Sequence, residues 1–280
     1  MKICDLHTHS IFSDGTYTPA EIIDSAIDVG LSAVALCDHN TINGLPDFLK
    51  AAEGKRIEAV AGSEFSVDLD GKELHLLGLF IAPEYFSQIS DVTSEYHRLK
   101  EQSNIELIDS LVKTGINLNY EDIKRKTPTG QVNRAVIAAA LTEAGYTTSV
   151  KHAFDTLLSR SSGYYTAPKK TSVWEMIDTI KSIHALPVLA HPFLNLDEGE
   201  LARFLPIAKK QGLRGMECYY SKYSEATTRA SLKLAEEFGL AVSGGSDFHG
   251  GNKPDIKLGV GKGDLKIPYE LTEALKALIN

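Results

Sequence analysis

The 280-residue chain has little cysteine, no long hydrophobic run and no excess of positive charge. Its three cysteines, Cys4, Cys37 and Cys218, each lie in an apolar run typical of a strand, which favours buried thiols in a reducing cytoplasm over metal ligation or redox work. No apolar stretch approaches the roughly 18 residues of a membrane span, and the first residues lead directly into a polar motif. We therefore expect a cytoplasmic protein without a membrane anchor or signal peptide.

The charge balance restricts the choice of partners. Twenty-nine Lys and Arg residues against 37 Asp and Glu residues give a formal net charge of −8. Non-specific binding to long nucleic acid draws on clustered basic residues, so we expect no long nucleic acid partner. A short anionic substrate held by metal ions stays compatible with this charge. No feature of the sequence indicates an obligate protein partner.

Short apolar runs alternate with amphipathic helical patterns, which indicates an α/β protein with a parallel sheet or a βα barrel. The first unit is a strand at 2–6, a polar loop at 7–15 and a helix that follows the capping box Thr18-Pro19-Ala20-Glu21. Further strands are predicted at 33–37, 58–62, 187–190, 213–216 and 240–243. Polar residues recur where these strands end, which in a βα barrel is the face of the active site.

Residues 91–163 break this alternation. Helical patterns cover 92–112, 120–124, 133–144 and 149–158 without convincing strands. We expect a barrel formed by residues 1–90 and 164–280, with 91–163 as a helical insertion over the mouth of the active site. A separate binding domain is the alternative.

Six of the nine histidines lie at the ends of apolar strand-like runs, most of them near a carboxylate. Alternate side chains of a strand share a face, so His7 and His9 point the same way, as do Asp247 and His249. Each pair can therefore bind one ion. Imidazole nitrogen together with carboxylate oxygen suits Zn, Mn or Fe, whereas oxygen alone favours Mg or Ca. The pattern indicates a metal-dependent enzyme.

These motifs, in their order along the chain, resemble the polymerase and histidinol phosphatase (PHP) superfamily. They are His7-Thr8-His9-Ser10, Ser13-Asp14-Gly15, Asp38-His39, Gly62-Ser63-Glu64, His75, Ala190-His191-Pro192 and Ser246-Asp247-Phe248-His249. They are most similar to the branch of nucleoside 3′,5′-bisphosphate phosphatases that also act as 5′-to-3′ exoribonucleases on short RNA. The resemblance implies a distorted seven-stranded βα (TIM-like) barrel of the PHP type with a helical insertion.

The resemblance also implies two or three divalent metal ions, with manganese expected first and iron or zinc as alternatives. The implied ligand sets are His7, His9, Glu64 and Asp247 for one ion, Glu64, His75 and His191 for a second, and Asp14, His39 and His249 for a third. Glu64 would bridge the first two ions. Ions held in this way activate water and neutralise a phosphoryl group. We expect attack by metal-bound hydroxide on a phosphomonoester, without a covalent enzyme intermediate.

Other roles are expected for residues beside these ligands. Asp247 and His249 are candidate catalytic groups that handle protons in addition to binding metal. Asp5 and Asp38 are expected to accept hydrogen bonds that orient imidazoles, with simple polar contacts at the strand ends as the alternative.

Substrate contacts are predicted at three places. Arg134 lies in Gly130-Gln131-Val132-Asn133-Arg134-Ala135, which resembles the family segment whose arginine meets a substrate phosphate. Lys169, or the lysine after it, is a candidate for phosphate binding, with a solvated charge as the alternative. Tyr219, or the tyrosine after it, is a candidate for a base or sugar contact, with core packing as the alternative.

The predicted function is hydrolysis of nucleotide phosphomonoesters, namely the 3′-phosphate of nucleoside 3′,5′-bisphosphates and short RNA from the 5′ end. A histidinol-phosphate phosphatase, or another small-molecule phosphatase on the same fold, is the first alternative. A non-catalytic metal-binding module is the second, and the complete set of ligands disfavours it. A DNA-directed nuclease is disfavoured by the acidic balance.

Overall fold

The computed structural model describes residues 2–127 and 132–279. Gly130 and Gln131, in the segment that resembles a phosphate-binding region, lie outside the described residues. The strands are β1 (Ile3–Thr8), β2 (Ala33–Leu36), β3 (Glu58–Leu69), β4 (Lys72–Leu79), β5 (Leu186–Leu189), β6 (Gly215–Tyr220), β7 (Ala241–Gly245) and β8 (Ile267–Pro268). The α-helices are α1 (Pro19–Asp28), α2 (Leu45–Ala52), α3 (Phe86–Val112), α4 (Tyr120–Lys126), α5 (Arg134–Glu143), α6 (Val150–Asp155), α7 (Val173–Ser182), α8 (Glu198–Gln211), α9 (Glu225–Glu237) and α10 (Glu270–Lys276).

The strands form one sheet in the order β7-β6-β5-β4-β3-β2-β1-β8. Neighbouring strands are parallel except at β4, which is antiparallel to both its neighbours, and at the two-residue β8, which is antiparallel to β1. The backbone nitrogen of Asp247 donates to the carbonyl of His7 at 2.8 Å, so the chain after β7 is joined to β1. The sheet is thus a nearly closed, TIM-like barrel, which confirms the predicted fold class, with the two-residue β8 as an eighth strand beyond the seven expected.

The first helix begins where the capping box predicts. The Thr18 hydroxyl accepts a hydrogen bond from the Glu21 backbone, and the Glu21 carboxylate accepts one from the Thr18 backbone. Pro19 is the first helical residue, where the absence of a backbone N–H removes no intrahelical bond. The buried face of the helix includes Ile22 and Ile23 and packs into the main apolar cluster.

Strand β3 is longer than the prediction of 58–62 because it continues into a hairpin with β4. Asp70 and Gly71 connect the two strands, both with positive φ (50° and 84°), as a two-residue turn matched to strand twist requires. Glu64 therefore lies within a strand rather than just after one. In this register Glu64 is opposite Leu77, and His75 is opposite Ser66, two residues further along. The hairpin thereby places the Glu64 and His75 side chains diagonally on one face.

Two buried apolar clusters stabilise the barrel. One packs helix residues such as Ile22, Phe48 and Leu205 against the sheet, and the other includes Leu6 and Val188 together with Cys4 and Cys37. Cys218 is buried in the first cluster. Burial raises the pKa of Cys4 to about 12 and raises those of the other two thiols as well. The cysteines are thus buried and protonated, as expected from their apolar surroundings in the sequence.

The contacts divide the chain into two compact units, Met1–Thr93 with Lys170–Asn280, and Ser94–Lys169. The sequence predicted similar boundaries, with the insertion at 91–163 and the barrel at 1–90 and 164–280. The second unit contains most of α3 and all of α4, α5 and α6, and it has an apolar cluster of its own that includes Leu107, Ile137 and Leu158. None of the described helices is both long enough and apolar enough to cross a membrane.

Candidate metal centre

The ends of β1 and β7 bring four predicted ligands together beside β3. The Nε2 atoms of His7 and His9 lie 3.2 and 3.3 Å from Oε2 of Glu64. Oδ1 of Asp247 lies 3.3 Å from Nε2 of His9 and 4.0 Å from Nε2 of His7. Two imidazoles and two carboxylates therefore surround one small volume, which is the donor set that the sequence predicted for the first ion.

The other oxygen of Glu64 faces a second pair of imidazoles. Its Oε1 atom lies 2.7 Å from Nδ1 of His75 and 2.8 Å from Nε2 of His191. His75 comes from β4 and His191 follows β5. Oε2 also lies 3.0 Å from Nδ1 of His39, which was predicted in the third ligand set. One carboxylate thus presents its two oxygens to different groups of histidines, the arrangement required of a group that bridges two cations.

A third group adjoins the first. Oδ1 of Asp14 lies 3.1 Å from Nε2 of His249 and 3.8 Å from Nδ1 of His9, and Oδ2 lies 3.9 Å from Nε2 of His39. The nearest ligand atoms of these four residues all lie within 4.8 Å of one another. The Asp14 side chain is 46% exposed, whereas those of His9 and His249 are buried. Of the three predicted ligand sets, this one contains the most exposed carboxylate.

Several buried polar atoms at the centre have no hydrogen-bond partner among the described residues. They are Nε2 of His7, His9 and His249, Nδ1 of His39 and Oε2 of Glu64. Leaving one such atom without a partner costs about 1–3 kcal/mol, so a cluster of five is costly unless a ligand satisfies them. All five can donate a lone pair to a cation. The residues present therefore fit divalent metal ions with mixed nitrogen and oxygen ligation.

The backbone at two predicted ligands is strained. His191 has a φ of 28° and Asp247 a φ of 58°, values that residues other than glycine seldom adopt. Hydrogen bonds hold both residues in place, from the His191 backbone to Glu217 Oε2 at 2.8 Å and from the Asp247 backbone to the His7 carbonyl. Strain held in this way is characteristic of functional sites, because it aims side chains that a relaxed backbone would turn elsewhere.

Electrostatics keep the two central carboxylates ionised. Burial alone raises the pKa of Glu64, but the imidazoles of His39, His75 and His7 outweigh it and lower that pKa well below its usual range. Burial likewise raises the pKa of Asp247, and the adjacent imidazoles of His9 and His7 reverse the shift. Both groups are therefore anionic at neutral pH, the form that binds metal.

Glu217, within β6, belongs to the centre but was given no role in the prediction. Its Oε1 atom lies 3.2 Å from Nδ1 of His7, and Oε2 accepts the backbone N–H of His191. Since an ionised carboxylate only accepts, His7 donates from Nδ1 and keeps the lone pair of Nε2 for a metal ion. In the sequence, only its position after an apolar run pointed to Glu217, and that position does not show which residue its side chain contacts.

Asp5 and Asp38 accept hydrogen bonds from loops rather than from imidazole rings, which corresponds to the alternative of simple polar contacts. Asp5 accepts from the backbone nitrogens of Ser246 and Gly259, both at 2.8 Å. Asp38 accepts from the Ser10 backbone at 2.7 Å and from the Ser13 hydroxyl at 2.6 Å. Asp5 lies within β1 and Asp38 lies two residues after β2, and backbone and hydroxyl donors of the loops after β1 and β7, together with Gly259, satisfy both carboxylates.

The structure also bears on the proton roles considered for Asp247 and His249. Nδ1 of His249 lies 2.8 Å from the Asp247 carbonyl, which can only accept, so the ring carries its proton there and presents Nε2 toward Asp14. Oδ2 of Asp247 accepts from the Tyr220 hydroxyl at 2.9 Å and from Lys253 Nζ at 2.8 Å. Both side chains are thus arranged as ligands. Lys253 joins the centre without having been predicted there, and Tyr220, predicted only as a candidate for a base or sugar contact, hydrogen-bonds to Asp247.

The predicted substrate contacts have varied surroundings. In the barrel unit, Tyr219 packs against the second apolar cluster, whereas Tyr220 reaches Asp247. In the other unit, Lys169 is exposed and the Arg134 guanidinium lies 4.3 Å from the centre of the Tyr165 ring. The lysine after Lys169 belongs to the barrel unit and pairs with Glu73 at 2.6 Å.

A TIM-like barrel whose strand ends gather histidines around a shared carboxylate has the architecture of a metal-dependent hydrolase. Comparison with known proteins supports the same class of enzyme. The PHP domain model matches residues 5–184. The chain is similar to the 5′-3′ exoribonuclease of Haemophilus influenzae, with 30% identity over 89% of this chain and 90% of that protein. It is 27% identical to the 3′,5′-nucleoside bisphosphate phosphatase of Chromobacterium violaceum, over 89% and 88% of the two chains.

A crystal structure of a candidate metal-dependent phosphoesterase from Bifidobacterium adolescentis shares the fold, with a TM-score of 0.80 at 24% identity over 99% of this chain and 96% of that chain. The protein therefore belongs to the PHP domain family, and it is a metal-dependent phosphoesterase. This confirms the resemblance of its ordered histidine and carboxylate motifs.

Proposed function

We propose that the protein hydrolyses the 3′-phosphate of nucleoside 3′,5′-bisphosphates and shortens short RNA from its 5′ end. The observation that carries the chemistry is the position of Glu64, with one oxygen toward His7 and His9 and the other toward His75 and His191. The names of two relatives with nearly full-length similarity support the choice of substrate.

The chain's own residues would hold and aim the reacting groups. His7, His9, Glu64 and Asp247 would hold one ion, and Glu64 with His75 and His191 a second. Divalent ions, with manganese as our first candidate, would lower the pKa of water and neutralise charge on the phosphoryl oxygens. The hydrogen bond from His7 to Glu217 would fix the ring that faces Glu64, so the donor atoms stay in place as charge develops.

Charge distribution supports an anionic substrate. Residues 94–169 contain ten Lys and Arg against eight Asp and Glu, whereas the barrel residues contain 19 against 29. The net charge is therefore +2 in the helical unit and −10 in the barrel unit. The positive balance of the helical unit, taken by itself, favours contact with a phosphate group.

Arg134 is our candidate for the second phosphate of the substrate. It is the first residue of α5, and its guanidinium lies 4.3 Å from the Tyr165 ring centre and 5.7 Å from that of Phe154. Stacking on an aromatic ring restrains the guanidinium plane while its N–H groups stay available at the edge. Such a fork matches the geometry of a phosphate group.

The test is phosphate release by manganese-loaded protein from adenosine 3′,5′-bisphosphate, AMP, histidinol phosphate and a short 5′-phosphorylated RNA. We expect strong preference for the bisphosphate, stepwise shortening of the RNA, and loss of both activities on removal of metal by EDTA. Release from histidinol phosphate alone would contradict the nucleotide assignment and leave the metal-dependent phosphoesterase in place.

A further inference from the structure

Lys253 places a positive charge beside the metal centre. Its Nζ atom lies 2.8 Å from Oδ2 of Asp247, while Oδ1 of the same carboxylate lies 3.3 Å from Nε2 of His9. The ammonium thus contacts a predicted metal ligand directly, on the carboxylate oxygen that does not face His9. The Tyr220 hydroxyl shares Oδ2 at 2.9 Å, so Asp247 is fixed from two directions.

The turn that carries Lys253 is tied to the loop that carries Asp14. The Gly251 nitrogen donates to the Thr16 hydroxyl and the Asn252 side chain donates to the Asp14 carbonyl, both at 2.8 Å. Gly250, with a φ of 62°, approaches so closely that an added Cβ would lie 2.2 Å from Oγ1 of Thr16. The position of Lys253 is therefore determined by a short, hydrogen-bonded turn between two parts of the centre.

The ammonium of Lys253 is suited to a ligand. It has three N–H groups, and the ion pair with Asp247 uses one. Its side chain is 30% exposed, so a molecule from solvent can reach it, whereas Asp247 is buried. By contrast, the side chain of Lys170 is only 15% exposed in its pair with Glu73. Lysine binds phosphate as a compact point charge, which tolerates several orientations of the phosphoryl group.

We propose that Lys253 binds a non-bridging oxygen of the substrate phosphoryl group at the metal centre. The N–H groups that do not meet Asp247 would donate to this oxygen, and the positive charge would offset the negative charge that phosphate brings beside Glu64 and Asp247. The proposal rests on the phosphoesterase function but on no particular nucleotide. Lys253 is thereby a substrate-binding residue rather than a support for Asp247 alone.

The test uses inorganic phosphate as the probe, with the manganese-loaded full chain. Phosphate binding is measured by calorimetry and bound manganese by elemental analysis, for the wild type, Lys253→Met, Lys253→Arg and Lys257→Met. Lys257 is an exposed lysine four residues away and serves as the control for loss of one positive charge. We expect Lys253→Met to weaken phosphate binding about tenfold or more at unchanged manganese content, because it removes a charge-assisted hydrogen bond. Lys253→Arg should retain most of the affinity and Lys257→Met all of it.

Two outcomes would overturn the proposal. Phosphate affinity that is equal in Lys253→Met and wild type would remove the residue from the phosphate site. Loss of manganese in Lys253→Met, with phosphate affinity per bound ion unchanged, would show that Lys253 only supports Asp247. Failure of the nucleotide assignment would look different, because the wild type would bind phosphate, and depend on Lys253 to do so, while hydrolysing no nucleotide in the substrate panel.

Discussion

Nδ1 of His7 and Oε1 of Glu217 lie 3.2 Å apart although 210 residues separate them in the chain. The other oxygen of Glu217 accepts the backbone N–H of His191 at 2.8 Å. One buried carboxylate therefore orients an imidazole of one predicted metal set and the backbone that carries a histidine of the other. Removing its charge should disturb both sets, although Glu217 is not among the predicted ligands.

We expect Glu217→Gln to lower manganese affinity about 10- to 100-fold, the usual effect of losing a partner that orients a metal ligand. An amide cannot accept from both His7 and His191, because one of its two ends donates. Competition titration with a chelator measures the affinity. Glu236→Gln, on the exposed side of α9, is the control. Equal affinities for the two variants would show that the His7 contact has no part in metal binding.

Glu64→Gln should reduce the number of bound metal ions rather than only their affinity. The amide keeps the shape of Glu64 but offers a single acceptor oxygen, so it cannot face both histidine pairs as a ligand. We expect at least one ion fewer per chain by elemental analysis, and a loss of turnover of about a thousandfold or more if two ions act together. An unchanged metal count would contradict the bridging role of Glu64.

Arg134→Ala should raise KM for adenosine 3′,5′-bisphosphate about tenfold or more while metal content stays constant. The same variant should leave hydrolysis of p-nitrophenyl phosphate unchanged, because that substrate has no second phosphate. Arg134→Lys should also bind poorly, since a lysine lacks the planar fork that stacks on Tyr165. The control is Arg125→Ala, whose side chain is 71% exposed. Unchanged kinetic constants for Arg134→Ala would remove it from the substrate site.

The short turn Gly250–Asn252, which precedes Lys253 and contacts the loop of Asp14, contains two adjacent glycines whose substitution can be compared. An added Cβ at Gly250 would lie 2.2 Å from Oγ1 of Thr16, and the residue has a φ of 62°. At Gly251 the same atom would lie at 3.6 Å, an ordinary contact. Gly250→Ala should therefore destabilise the fold by about 1–3 kcal/mol in urea unfolding and weaken phosphate binding, whereas Gly251→Ala should do neither. Equal stability of the two variants would contradict the close packing of this turn.

Glu58 should stabilise the barrel in a pH-dependent manner. Partial burial raises its pKa, but hydrogen bonds from Lys276 at 2.7 Å and Tyr269 at 2.8 Å lower it below the usual value. Because the pKa is lower in the folded state than in the unfolded chain, the stabilisation is complete above the unfolded value near 4.3 and is lost as pH falls through the folded value.

Glu58→Gln should thus cost about 1 kcal/mol of unfolding free energy at pH 7, and less at pH 3. Urea unfolding at both pH values measures the difference, with the exposed Glu53→Gln as the control. A cost for Glu58→Gln that does not change between pH 7 and pH 3 would show that ionisation of Glu58 does not contribute.

Much of the local structure could be predicted because it depends on neighbours in the chain. The capping box that begins α1 at Pro19 uses residues three apart, and the common direction of His7 and His9 follows from strand alternation. Strand β3 was predicted too short because its second half depends on pairing with β4, and the polar Ser63-Glu64 pair resembles the end of a strand. The sequence also left open whether Asp38 meets an imidazole or other polar groups, because its donors Ser10 and Ser13 lie 25 or more residues away in the chain.

The sequence by itself determined the alternation of strands and helices, the ordered histidine and carboxylate motifs, and hence the class of chemistry. Only the tertiary structure decided that Glu217 meets His7, that Glu64 reaches His191 across 127 residues, and that a hydrogen-bonded turn brings Lys253 to Asp247. The physical reason is one of range. Propensity, capping and side-chain period act over a few residues, whereas these contacts exist only when distant strands pair and the sheet closes on itself.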